Sequence, residues 1–128
     1  MSTAATAEQV HEVYRHAHGT GQYHRLSMLP GILCTDSIKE LADIAGAYWV
    51  IDLITSYNPA KFRKAHPFQF WKMKVEDNKA MITMREDSGK PIVVSQMIQY
   101  TDFPPGTWEF WVVEATPEYS VLMSPGDY

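Results

Sequence analysis

The apolar residues change period at Phe68. Beyond it, "FQFWKMKV" (68–75), "AMITMRE" (80–86), "IVVSQMIQY" (92–100) and "WEFWVVEA" (108–115) are short runs rich in aromatic and β-branched residues. They partly alternate apolar with polar, the period of strands. Between them stand "EDNK", "DSGKP" and "FPPGT", with the Asp, Asn, Gly and Pro that turns require. Such short punctuation leaves no room for a crossover helix, so successive runs are expected to pair as an antiparallel meander. The tail "YSVLMSPGDY" adds a candidate edge strand over 119–123. In the third run Ile92, Val94, Gln96, Ile98 and Tyr100 share one face, and Val93, Ser95, Met97 and Gln99 the other. The pattern leaves open which face is buried.

Upstream the period is helical. Val10, Val13, Tyr14 and Ala17 fall on one stripe, with Thr6 placed to cap it and Gly19 to end it, predicting a helix over about 7–18. "TGQYHRLSMLPGILC" has no clean period and reads as an extended connection with a turn at Pro30-Gly31. Thr35 or Asp36 can cap a second helix, whose stripe runs through Ile38, Leu41, Ala42 and Ala45 toward Leu53. Gly46 either interrupts that helix or lets it pack closely, and Asn58-Pro59 stops it. "KFRKAH" (61–66) is expected to be a solvated linker. Helices first and strands afterwards imply an α+β fold, with two to three N-terminal helices on one face of a four- to five-stranded antiparallel meander sheet. One domain over 1–128 is expected, with a flexible 1–6, a helical part over 7–58 and a sheet over 68–123.

"GAYWVIDLIT" carries one acid, Asp52, in an apolar run. Tyr48 and Ser56 lie four residues to either side and can both donate to a carboxylate, so a hydrogen-bonded core Asp is favoured over a catalytic one.

The chain has 128 residues and a net charge of −4 from 11 basic and 15 acidic side chains, which argues against a polyanion-binding protein. Nucleic acid is thus an unfavoured partner. The N-terminus shows no basic and apolar signal pattern, and the longest apolar run is about half a membrane span, so a cytoplasmic protein is expected. One cysteine excludes an internal disulfide and a multi-cysteine zinc site. No two of the five histidines stand at i, i+4, so no metal is expected. "SGKP" lacks the spacing of a phosphate loop, and no cofactor is expected.

"TGQYHR", "CTDSIKELADIAGAYWVIDLITSY", "FQFWKMKV", "QYTDFP" and the terminal "VLMSPGDY" together resemble a family of small uncharacterised proteins of bacteria, phages and other mobile elements. Its members carry an Ala-Tyr-Trp-Leu-(Ile/Leu)-Asp helix core, a Tyr-Thr-Asp-Phe-Pro loop and a Leu-x-x-Pro-x-x-Tyr tail. The likeness covers about 19–128 and departs at Ser37-Ile38, where the family has Gly-Val. It implies one continuous fold and brings no reaction, ligand or catalytic residue.

Two classes of function stay open. A small hydrolase would draw on Tyr23, His24, Cys34 and Asp52: Cys34 precedes a helix start that can lower a thiol pKa, and His24 lies ten residues before it. No glycine-flanked nucleophile motif accompanies them. A binding module would instead use Tyr23 and His24, or the aromatics around the double-proline turn: Tyr100, Asp102, Phe103, Trp108 and Trp111. The same aromatics could equally seal the end of the core. We favour the second class, an acidic protein-binding module that docks through its sheet face or aromatic loop. Inhibition of a host defence complex, as an anti-CRISPR protein does, would suit a mobile-element product, and a homodimer through a sheet edge or face is compatible.

Overall fold

A computed structural model describes residues 6–17, 19–26 and 31–128. Helix α1 spans Ala7–Arg15 and opens with a capping box. Thr6 Oγ1 accepts from Gln9 N at 3.2 Å, and Gln9 Oε1 accepts from Thr6 N at 2.8 Å. It ends before the expected 18, and His18 lies outside the described residues. Strand β1 is Ile32–Cys34.

Helix α2 (Asp36–Ala45) stops at Gly46, whose φ of 62° is left-handed, and α3 (Tyr48–Ser56) starts afresh. Gly46 therefore interrupts the stripe. Helix α4, Ala60–Ala65, occupies the stretch expected as a linker. Pro59 stands at its N-cap with φ of −64°, so the residue that stops α3 also starts α4.

The strands are β2 (Phe68–Glu76), β3 (Lys79–Arg85), β4 (Ile92–Ile98), β5 (Gly106–Thr116) and β6 (Tyr119–Met123). They form one α+β sheet in the order β1-β6-β5-β2-β3-β4. Two expectations are corrected here. The sheet has six strands and is mixed, because β1 runs parallel to β6. Nor is it a meander, because β5 leaves β4 and pairs with β2 from Phe68↔Val113 to Val75↔Gly106.

The crossover has a local cause. Asp77 and Asn78, with φ of 54° and 61°, form the two-residue turn of the β2–β3 hairpin. The segment after β4 hooks over that turn: Thr101 N donates to Asn78 O at 2.8 Å and Asn78 Nδ2 to Thr101 O at 3.2 Å. The hook delivers β5 to the free side of β2. Buried Trp71, Met73 and Val75 then lie beside buried Trp108, Phe110 and Val112 at the centre of the sheet. A meander would leave the Trp71 strand at an edge.

The register settles which face is covered. Trp71, Met73, Val75, Ala80, Ile82, Met84, Trp108 and Phe110 point into the core with Val50, Ile51 and Ile54 of α3. The opposite face presents Phe68, Phe70, Lys72 and Lys74 from β2, Met81, Thr83 and Arg85 from β3, and Thr107, Glu109 and Trp111 from β5. On β4 the expected face of Val94, Gln96 and Ile98 is the inner one.

Candidate functional site

The open sheet face holds a groove of about 350 Å³. Its floor is a cross-strand pair. Phe70 stands opposite Trp111, and their rings stack at 4.8 Å and 7°. Phe68 tilts against both, at 5.0 and 5.6 Å. The C-terminal Tyr128 sets its ring edge-on to Phe68 and Trp111, at 5.3 and 5.6 Å, while staying 74% exposed.

The wall is charged. Arg85 is the β3 neighbour of Phe70, and Lys72 on β2 faces Glu109 on β5. The 87–90 loop leans over them, shaped by Gly89 with φ of 82° and by Lys90 N donating to Asp87 O at 3.2 Å. Arg85 Nε donates to Lys90 O at 3.0 Å, which ties loop and guanidinium together. Lys72, Lys74, Lys79, Arg85 and Lys90 outnumber Glu76, Asp87 and Glu109 on this side. Helices α1 to α3 carry the opposite balance, with Glu8, Glu12, Asp36, Glu40, Asp43 and Asp52 against Arg15 and Lys39. The groove can stack an apolar or aromatic group and attract a carboxylate.

The geometry does not assemble Tyr23, His24, Cys34 and Asp52 into one site. His24 and Cys34 meet through their backbones, with N–H···O bonds of 2.8 and 2.7 Å in both directions. Their side chains differ in partner and in burial. His24 Nε2 donates to Asp36 at 2.7 Å, whereas Cys34 is fully buried and burial pushes its thiol up to about 12. A water-soluble thiol reagent is expected to leave Cys34 untouched in the folded protein at mildly alkaline pH and to modify it fully after denaturation. Rapid reaction in the folded state would show an accessible thiolate instead.

Asp52 is corrected from core to surface. It is exposed on α3, and neither expected donor turns to it. Tyr48 donates to Asp43 at 2.6 Å and Ser56 to the carbonyl of Leu53 at 2.6 Å. Tyr48, Asp52 and Ser56 form the solvent stripe of a helix whose other side is buried.

The carboxylate that matters locally is Asp36. It accepts from His24 and from Gly21 N at 2.9 Å, while its own N–H donates to Thr20 Oγ1 at 2.9 Å. The His24 hydrogen bond, followed by that of Gly21, holds its carboxyl below the usual range. "TGQYHR" is thereby wrapped around the start of α2, and Tyr23 points outward, 57% exposed.

The double-proline loop is also corrected. Phe103 and Trp108 are 3% and 2% exposed and cannot anchor a partner. Trp108 Nε1 donates to Pro104 O at 2.9 Å, and its ring packs on His11, Tyr14 and Phe103. Thr101 Oγ1 accepts from Phe103 N at 3.0 Å, closing the turn. Tyr100 and Asp102 remain outside, and Trp111 alone of the aromatics expected around this loop lies in the groove. Phe70, Lys72, Arg85 and Lys90 were missed in the sequence. Their alternation was visible, but a sheet has two faces and the strands do not say which one the helices take.

Among the described residues no three His, Cys, Asp or Glu side chains cluster as a metal site, and no helix is long and apolar enough to cross a membrane. A family profile matches residues 8–128. The chain belongs to DUF6876, a family of unknown function. The DUF6876 match reaches further upstream than the resemblance read from motifs, taking in α1, and it includes the groove and the Tyr128 tail. No curated protein and no solved structure matches the chain.

Proposed function

We propose that this protein is a non-enzymatic module that binds another protein by seating an extended, acidic segment of it in the Phe70–Trp111 groove. The observation that carries this is an aromatic floor walled by Lys72, Arg85 and Lys90 on the sheet face that the helices leave open. Aromatic and arginine side chains supply most of the energy at protein interfaces, and rim lysines steer acidic partners. The excess of acids on the rest of the chain, and Glu109 within the groove, favour an acidic peptide over a polyphosphate strand. Burial of Cys34 and the dispersal of the hydrolase candidates favour binding over catalysis. For a product resembling phage and mobile-element proteins, the fitting use is to occupy a surface of a host defence complex.

The test is an array of short peptides graded in Asp and Glu content, each with one aromatic residue, titrated while tryptophan fluorescence is followed. Acidic peptides are expected to bind and perturb Trp111, more weakly as salt rises. Trp111→Ala should weaken binding by about 30-fold, the effect of a ~2 kcal/mol hot spot. Arg85→Glu should act in the same direction, and His24→Ala should change nothing. Equal binding of neutral peptides, or indifference to Trp111→Ala, would overturn the proposal. Preferential binding of single-stranded oligonucleotides would replace it.

A further inference from the structure

The open sheet face carries a second hollow, of about 250 Å³, toward the β2–β3 hairpin end. Lys74, Lys79, Met81 and Met97 line it, with Glu76 and Asp77 beside them. Strand pairing sets this hollow and the groove in one grid. The first cross-strand row is Trp111, Phe70 and Arg85, the floor and wall of the groove. The second is Glu109, Lys72, Thr83 and Ser95, and the third Thr107, Lys74, Met81 and Met97. Both end rows offer large apolar side chains, and Met97 is 49% exposed. Between them β3 and β4 place only Thr83 and Ser95, too short to wall one hollow off from the other. Lys72 and Lys74 flank this passage. No ion pair among the described residues includes either, although Glu109 is the cross-strand neighbour of Lys72.

We infer that the segment bound in the groove runs on in extended form to the second hollow, with two apolar residues four apart and an acid midway between them. This rests on the reading of the groove proposed above. Spacing selects the form of the occupant. Successive rows stand two residues apart along β2, so the end rows are about 13 Å apart at ~3.3 Å per residue. An extended peptide advances at the same rate and turns alternate side chains to one side. Its residues i, i+2 and i+4 fall on the three rows, and i+1 and i+3 point to solvent. A helix rises only about 1.5 Å per residue and would need apolar residues about eight or nine apart. Charge selects the sequence. The midway carboxylate meets Lys72 and Lys74, which outweigh Glu109 in the middle of the face and disfavour a base there. Glu76 and Asp77 disfavour a second acid at the far hollow. There the thioethers of Met81 and Met97 give a soft, adaptable surface for an apolar side chain.

The test is a set of acidic peptides with an aromatic residue fixed at i, a glutamate at i+2 and one leucine moved among i+3, i+4, i+5 and i+8. A leucine-free peptide is the control. Binding is read by tryptophan fluorescence and by the methyl signals of methyl-labelled methionine, with that of Met97 assigned from its loss in Met97→Ser. The i+4 peptide is expected to bind about tenfold tighter than the control, the gain from burying one more large apolar side chain less its ordering cost. It should move the Met97 signal, and the control should not. Met97→Ser should bring the two peptides to equal affinity, with circular dichroism checking that the variant is folded. An equal gain at i+3 and i+5, a preference for i+8, or a gain that survives Met97→Ser would overturn the inference. So would binding of the control and the i+4 peptide with equal affinity, and in each of these cases the groove reading would stand. Failure of every acidic peptide to bind would overturn both.

Discussion

Gln69→Leu is expected to lower the stability of the folded chain by about 2–6 kcal/mol, the cost of two orphaned buried groups at about 1–3 each. Gln69 is fully buried and joins three elements. Its Oε1 accepts from Trp71 Nε1 at 2.8 Å, and its Nε2 donates to Asn58 Oδ1 at 2.6 Å and to His66 O at 3.0 Å. Asn58, 1% exposed, passes the chain on to the carbonyl of Ile54 at 2.8 Å. The end of α3, the end of α4 and the start of β2 are thus tied by one amide inside an apolar core. Leucine fills a similar volume but leaves the indole N–H and the Asn58 oxygen without partners. Urea unfolding, read as a shift in midpoint at constant slope, measures the loss. Gln69→Leu/Trp71→Phe should recover part of it, because phenylalanine brings no donor to strand. A loss below about 1 kcal/mol would show that the amide is dispensable.

Asp127→Ala should cost about 2–4 kcal/mol and release the C-terminal tail, since hydrogen bonds to a charged acceptor are worth about 1.5–3 kcal/mol each and some of the hydroxyls can re-pair. Asp127 Oδ2 accepts from Thr35 Oγ1 at 2.7 Å, Ser37 Oγ at 2.5 Å and Ser124 Oγ at 3.1 Å, and its Oδ1 accepts from Gly19 N at 3.0 Å. All three hydroxyl residues are buried. The latch sits in a 3-10 turn, Pro125–Asp127, that fits closely against the end of α1. A methyl on Gly126 would come within 2.5 Å of Ala17 O, too close for anything but glycine. Opening the latch frees Tyr128 from Phe68 and Trp111, so the tryptophan emission should shift and an iodide quencher should reach Trp111 faster. Unchanged quenching beside a lowered unfolding midpoint would mean that the latch holds α2 but not the tail.

Much of the architecture was legible along the chain. The switch of period at Phe68 separates helices from strands because helix and strand expose residues at different spacings, and each half of this chain keeps to one. Glycine and the Asp-Asn pair marked turns, since few other residues tolerate a left-handed backbone, and Gly46 and Asp77-Asn78 adopt it. Strand limits came close for the same reason. Asp52 misled because an apolar run in nine residues of helix reads as buried all round, whereas a helix packed on one side needs only part of its circumference covered.

Periodicity is a property of neighbours along the chain, and it ends there. It gave each strand two faces and two edges without ranking them. That β5 would cross to β2, that the helices would choose the Trp71 side, and that Phe70, Trp111 and Arg85 would be left together in the open were decided by contacts between distant residues. The Thr101–Asn78 hook and the burial of Trp71 and Trp108 under one helical layer are two of those contacts. Asp127 belongs to the same class: its hydroxyl partners at 35 and 37 are some ninety residues away, and only the folded chain brings them within reach of one carboxylate.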